Sequence, residues 1–246
     1  MAQYLTDFSD YPSGEPPADW RDAWIPGGHR LEVQDAADAI GGKLLRHRID
    51  TNNRRAWAWE RVPRGAVSYE VLTRMRSTSG DSRFGVIVRG DGEGERGTEQ
   101  GITCECFKGA NHGLVEYEAP KLEQRQTLFL VAYNPEGEAE RGPQRPHGVA
   151  RIWGESFFPW QPDAWCWLRV RVEAEGGALQ VKAKGWRDGE AEPDWWHYEV
   201  ADIEPERVGA NGWVGITGQR EPGIREYDVF SVGTDGDAAP LPGETT

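Results

Sequence analysis

The 246-residue chain has few cysteines, few methionines and no long apolar run. Its three cysteines are Cys104, Cys106 and Cys166. The first two stand two apart on one face of an extended segment, which is a poor geometry for a disulfide between them. We therefore expect reduced, buried thiols. A zinc site made by the three cysteines and a histidine is the alternative, but no Cys-x-x-Cys or His-x-x-x-His spacing supports it.

Positive charge is also scarce. The chain has 28 Lys and Arg against 41 Asp and Glu, a formal net charge of -13. A polyanion is repelled by this charge, and the arginines are scattered, so we expect no nucleic-acid partner. No segment approaches the roughly 20 apolar residues of a membrane span, which predicts no membrane partner. The N-terminus carries acids from residue 7 and no signal-peptide stretch, so we expect the protein to stay where it is made or to leave by cell lysis.

What the chain has in excess is aromatic residues and glycine: 12 Trp, 7 Tyr, 7 Phe and 31 Gly. Short segments with strand character recur between Gly-containing connectors, a pattern typical of an all-β antiparallel sandwich or barrel. The predicted strands are 43–49, 67–76, 83–90, 101–107, 114–118, 127–133, 165–173, 178–184, 195–200, 212–218 and 225–232. A helical turn is indicated only at 35–40.

No internal repeat or strong domain boundary interrupts this rhythm, so we expect one domain over residues 1–236. Within it, residues 134–148 form a long polar loop with three prolines, which is either a binding loop or a surface insertion. Residues 237–246 read as a flexible tail that cannot bury itself.

Aromatic side chains share strand faces with arginines. In 165–173 the apolar Leu168, Val170 and Val172 define one face, so two tryptophans and two arginines lie on the other. Such a stripe can stack on sugar rings, pack under a second layer, or form a subunit interface of a homo-oligomer. We therefore predict eight residues that bind a glycan or a protein partner: Trp57, Trp59, Trp165, Trp167, Arg169, Arg171, Trp195 and Trp196.

One family resemblance can be stated from these residues. "WCWLRVRVEAEGGALQVKAKGWRDGEAEPDWWHYEV", followed by "NGWVGITG" and "REYDVFSVGTDG", resembles the C-terminal half of concanavalin A-like (laminin-G-like) jelly-roll domains. The opening "DFSDYPSGEPPADW" resembles the first strand and loop of such domains in bacteriophage structural proteins. The resemblance covers about 160–236 and about 7–33, and between them only the strand rhythm matches.

The resemblance implies a concanavalin A-like jelly roll whose first and last strands lie side by side. Some relatives bind calcium near that junction, and the oxygen donors available there are Asp7, Asp10 and Asp228. It also implies a virion protein, made in the host cytoplasm, that decorates the capsid or belongs to the tail. Its partners would be other virion proteins and a host surface glycan.

Two further functions remain open: a carbohydrate-binding lectin, and a glycoside hydrolase similar to laminarinases. Hydrolases of this kind need two carboxylates across a cleft, commonly spaced Glu-x-Asp-x-x-Glu or Glu-x-Asp-x-Glu, and neither pattern occurs. Glu70 and Glu105 are isolated strand acids that we expect to face solvent. The chain is therefore predicted to be non-enzymatic.

Overall fold

The computed structural model describes residues 2–24, 27–51, 54–80, 82–91, 100–108, 126–133, 149–175, 177–203, 212–219 and 222–243. These ranges contain fifteen strands and no helix, and hence no helix long and apolar enough to cross a membrane. The strands are β1 Ala2–Thr6, β2 Trp20–Trp24, β3 His29–Asp35, β4 Lys43–Ile49, β5 Arg55–Trp59, β6 Tyr69–Ser77, β7 Arg83–Asp91, β8 Gln100–Lys108, β9 Gln126–Tyr133, β10 Val149–Phe157, β11 Cys166–Glu175, β12 Ala178–Arg187, β13 Tyr198–Ile203, β14 Trp213–Gln219 and β15 Gly223–Thr234.

The strands form two antiparallel sheets packed as a sandwich. One has eight strands in the order β13-β12-β11-β6-β15-β4-β3, with β1 paired to β15. The other has seven strands in the order β10-β9-β8-β7-β14-β5-β2. The predicted all-β sandwich is confirmed.

Alternating side chains decide which face of each strand enters the core. Leu168, Val170 and Val172 of β11 are fully buried between the sheets, as their period of two predicts. In β12, Val181 and Ala183 lie opposite Val172 and Val170 and enter the same core. Apolar side chains on paired strands thus reinforce one register.

Large aromatic rings join the two sheets near the N-terminus. Trp20 and Trp59, from the seven-stranded sheet, stack with their centroids 5.9 Å apart. Phe230, from the eight-stranded sheet, meets them edge-on at 5.3 Å and 5.5 Å. Aromatic area therefore fills this part of the core in place of aliphatic side chains.

The last strand, β15, has neighbours on both sides. It pairs with β6 along most of its length, with β4 over Gly223–Tyr227 and with β1 over Phe230–Thr234. The pairing of β1 with β15 confirms that the first and last strands lie side by side. The β15–β6 register shifts between Tyr227 and Val229, so that Asp228 occupies the irregularity.

Several predicted boundaries differ from the structure. The prediction is correct to the residue for 43–49, but β13 begins at Tyr198 because the preceding residues, 188–197, form a loop held by side chains. β1, β2, β3, β5 and β10 were not predicted as strands, because their segments are short or charged and only pairing with neighbours makes them extended. The helical turn at 35–40 is an isolated turn. The predicted strand 114–118 and the loop 134–148 lie outside the described residues.

The C-terminal segment is not a solvated tail over 237–241. Ala239 is buried in a small cluster with Leu72 and Trp186, on which Leu241 also packs. The backbone N–H of Ala239 donates to the Glu70 carboxylate, and the Pro240 carbonyl accepts a hydrogen bond from the Ser231 hydroxyl at 2.8 Å. Backbone hydrogen bonds to the sheet thus order a segment whose composition alone predicts disorder.

Phe230→Ala should lower the free energy of unfolding by about 3–5 kcal/mol, because it leaves a cavity against Trp20 and Trp59. Denaturant unfolding measures this loss. Val67→Ala, at an exposed position, is the control and should change the free energy by less than about 0.5 kcal/mol. Equal effects of the two substitutions would contradict the core assignment.

Candidate functional site

The predicted tryptophan and arginine stripe lies on the outer face of the eight-stranded sheet, opposite the buried Leu168, Val170 and Val172. Its two arginines are already engaged. Arg169 and Arg171 both bond the buried carboxylate of Glu70, and Arg169 also pairs with Glu192 at 2.8 Å. Two cations and two carboxylates therefore compensate one another there.

The tryptophans of the stripe are covered as well. Trp165 is buried beneath the guanidinium groups of Arg74 and Arg76, which lie 4.5 Å and 4.1 Å from its ring centroid. Trp167 stacks on Trp186 at 6.0 Å with nearly parallel rings, and its indole N–H donates to Asp188 at 2.9 Å. These rings stabilise the sheet surface through cation–π and stacking contacts.

Trp57 and Trp59 do not form an exposed pair. The segment is extended, as the prediction requires, but both rings point towards the other sheet. Trp59 is fully buried, and the Trp57 indole N–H donates to His29 Nδ1 at 3.2 Å. At 57–59 the structure shows the packing alternative, because alanines and tryptophans alternate there and an apolar pattern on both faces does not decide which face is buried.

Trp195 has a different environment. Its side chain is 59% exposed, and its ring lies 4.3 Å from the ring of His197. His197 itself is half-buried, so the exposed indole of Trp195 packs on a ring that the protein partly encloses. We call Trp195 and His197 the aromatic platform.

The platform rests on buried neighbours. The backbone N–H of Gly185 points to His197 Nδ1 at 3.4 Å, and Phe158 packs edge-on against the same ring at 5.8 Å. Burial lowers the pKa of His197 to about 4, so the imidazole is neutral at physiological pH. The platform thus carries no charge of its own.

Trp196, the neighbouring candidate, supports the loop. Lys184 Nζ lies 4.5 Å from its ring centroid, donates to the Pro193 carbonyl at 2.7 Å and pairs with Glu192 at 2.8 Å. The sequence analysis names Trp195 and Trp196 as binding candidates but not His197, which contacts Trp195. The aromatic run "FFPW" (157–160) is the signal available for Phe158, which packs on His197.

The three predicted calcium ligands are not assembled into a site. Asp228 is fully buried, is paired with Arg74 and accepts the backbone N–H of Ile40 at 3.2 Å. Asp7 accepts the Ser9 hydroxyl at 2.6 Å, and Asp10 is exposed. Across the described ranges, no three His, Cys, Asp or Glu residues are placed to hold a metal ion. Neither the calcium hypothesis nor the zinc hypothesis therefore has a set of ligands among these residues.

The two isolated strand acids, Glu70 and Glu105, are buried and do not face solvent as expected. Glu105 is paired with Arg83, which also donates to the Tyr133 hydroxyl at 3.3 Å. Glu70 is saturated by Arg169 and Arg171, as described above. Glu105 lies on the outer face of the seven-stranded sheet and Glu70 on that of the eight-stranded sheet, so they cannot act on one bond.

Comparison with known proteins supports the fold. No family model matches the chain, and no curated protein matches it in sequence. Among solved structures, a point mutant of the carbohydrate recognition domain of Emp46p is 8% identical over 87% of this chain and 88% of that one, with a TM-score of 0.53. A seed lectin of Lotus tetragonolobus is 7% identical over 98% and 100%, with a TM-score of 0.52.

A β-1,3-glucanase of Mycobacterium marinum is 12% identical over 94% and 97%, but its TM-score of 0.44 is too low to support an argument. At these identities the likeness concerns the fold alone. The chain has the concanavalin A-like jelly-roll fold.

Lowering the pH from 7.5 to 5 should raise the free energy of unfolding that Asp228 contributes. Burial raises the pKa of this carboxyl to about 6, so its ionised form is less favourable in the folded chain than in the unfolded one. Denaturant unfolding of wild type and Asp228→Asn at both pH values measures this contribution as the difference between them. Asp10→Asn is the matched control and should follow wild type at both pH values, whereas an equal pH response of wild type and Asp228→Asn would contradict the raised pKa.

Proposed function

We propose that this protein binds carbohydrate without cleaving it, and that the aromatic platform is its binding surface. The observation that carries the proposal is the exposure of Trp195, whose ring packs against the half-buried ring of His197. An exposed aromatic surface on a folded protein commonly marks a binding site. Loops supported by a rigid sandwich are also where binding residues are usually placed.

The chemistry of the platform suits a sugar. A flat indole can cover the apolar face of a pyranose ring, while neighbouring polar groups take its hydroxyls. Asp194, the residue before Trp195, is exposed and supplies an acceptor of that kind. A planar ring with polar groups at its rim is the arrangement that the proposal requires.

Charge compensation favours a neutral saccharide. Lys182 pairs with Glu199 at 2.6 Å and Arg187 with Glu190 at 2.8 Å, and Lys184 with Glu192 as described above. Because these cations are matched by carboxylates and the whole chain has a net charge of -13, an anionic glycan would meet repulsion.

The absence of cleavage is proposed from the described acids. Glu105 and Glu70 lie on opposite outer faces and are each held by arginine, which leaves them unsuited to pass a proton to a glycosidic oxygen. Hydrolysis would require a separate pair of carboxylates on one side of the molecule.

Trp195→Ala should weaken glycan binding at least about tenfold, a loss of about 1.4 kcal/mol, because it removes the stacking surface. A glycan array identifies the ligand and isothermal titration calorimetry gives the affinity. We expect hits among neutral glycans only, and an affinity unchanged between pH 5 and pH 8, where His197 stays neutral.

Val67→Ala removes an equally exposed apolar side chain elsewhere and should leave binding unchanged. Trp167→Phe tests the tryptophan and arginine stripe, where Trp167 is half-buried, and should also leave binding unchanged. A blank array, or equal affinity of wild type and Trp195→Ala, would refute the platform as a glycan site. Release of reducing ends from the bound glycan would refute the non-enzymatic part.

The finer proposal is that the chain works in a bacteriophage particle, on the capsid or the tail, and offers the platform to a host glycan. Its support is the resemblance of residues 7–20 to phage structural proteins. Mass spectrometry of purified particles, with heads and tails separated, should recover the chain in stoichiometric amounts. Its absence from both fractions would leave a carbohydrate-binding protein with no virion role.

A further inference from the structure

Two buried cysteines from different sheets face each other across the core. Cys106 lies on β8 of the seven-stranded sheet and Cys166 begins β11 of the eight-stranded sheet. Their sulfur atoms are 4.0 Å apart, although the residues are separated by 60 positions in the chain. Both side chains are buried, and both cysteines are free thiols.

The surroundings hold the two thiols in this position. Cys166 Sγ donates to the Met75 carbonyl at 3.4 Å, which orients its sulfur towards the core. Cys106 lies in register with Phe84 and Leu128 on the neighbouring strands, so backbone pairing on both sides fixes its position within the sheet. Neither sulfur depends on a mobile loop for its place.

The third thiol, Cys104, is not part of this arrangement. It is two residues from Cys106 on the same strand and the same face, where neighbouring side chains diverge too widely for a disulfide. Cys104 therefore provides an internal control, with equal burial and a different neighbourhood.

We propose that Cys106 and Cys166 form a disulfide site that stays reduced in a reducing compartment and closes when the protein meets a low-molecular-weight disulfide such as oxidised glutathione. In the net reaction one S–S bond forms between the two side chains. The two cysteine thiols lose two protons and two electrons, and the oxidant is reduced to two thiols as its own S–S bond breaks. The sulfurs must approach each other by about 2 Å, to the S–S bond length.

Burial governs the rate of this reaction. Burial, together with the neighbouring Cys166, raises the pKa of the Cys106 thiol well above its usual value, so little of Cys106 is present as the reactive thiolate in the folded protein. The oxidant also has to reach the core. The bond therefore forms slowly in the native state, through opening of the sandwich, and rapidly when the chain folds in the presence of the oxidant.

The bond would change how the two sheets are held together. At present their contact is made by side-chain packing, and β8 and β11 are not hydrogen-bonded to each other. A covalent link between them closes a large loop and so reduces the conformational entropy of the unfolded chain. The oxidised protein would be more resistant to unfolding than the reduced one.

The test is refolding of the full-length chain from denaturant in glutathione buffers, from fully reduced to fully oxidised. Free thiols are then alkylated under denaturing conditions and the peptides are identified by non-reducing mass spectrometry. We expect a Cys106–Cys166 peptide that has lost two hydrogen atoms, alkylated Cys104, and a melting temperature about 5–10 °C higher in the oxidised form.

Variants separate this bond from other oxidation. Cys104→Ala should form the same bond, whereas Cys166→Ala should form none and show no rise in melting temperature on oxidation. Alkylation of all three thiols after oxidative refolding, or a bond that includes Cys104, would overturn the proposal. Because wild type is compared with itself in two buffers, a variant that fails to fold does not affect this outcome.

Discussion

The strand β15 and the buried charge at its irregularity organise the eight-stranded sheet. β6 lies along one side of it, while β4 and β1 share the other, and the register shifts beside Asp228. Arg74 neutralises the Asp228 carboxylate and the Ile40 backbone donates to it. Without such partners the buried carboxylate would destabilise the fold by several kcal/mol. The hydrogen bond from Ile40 to Asp228 also links the turn at 36–42 to the last strand.

The same need for charge compensation explains why the outer face of this sheet is not an open binding surface. Glu70 is buried on that face, accepts two arginines and also receives the backbone N–H of Ala239. The C-terminal segment packs there because it satisfies a buried acceptor while it covers Trp186. Tryptophans on this face therefore stabilise the sheet, because their rings make stacking and cation–π contacts with neighbouring side chains.

The aromatic platform lies beside this rigid framework and uses it. Lys184 projects from β12 to hold the loop before β13, and Gly185 of the same strand contacts His197. The exposed ring of Trp195 is thus fixed by a strand and not by the loop alone, which lowers the entropy lost when a ligand binds. A scaffold that holds its tryptophans tightly can still present one of them to solvent.

For β4 the strand, and for β11 also the buried face, follow from the sequence alone, because a period of two depends only on neighbouring residues. The roles of Trp59, Trp165 and Trp195 do not follow, because exposure depends on what packs above each ring. The facing sheet covers Trp59, two arginines cover Trp165, and solvent lies above Trp195. The meeting of Cys106 with Cys166 is likewise a product of tertiary structure, since the packing of two sheets brings together residues that local patterns cannot relate.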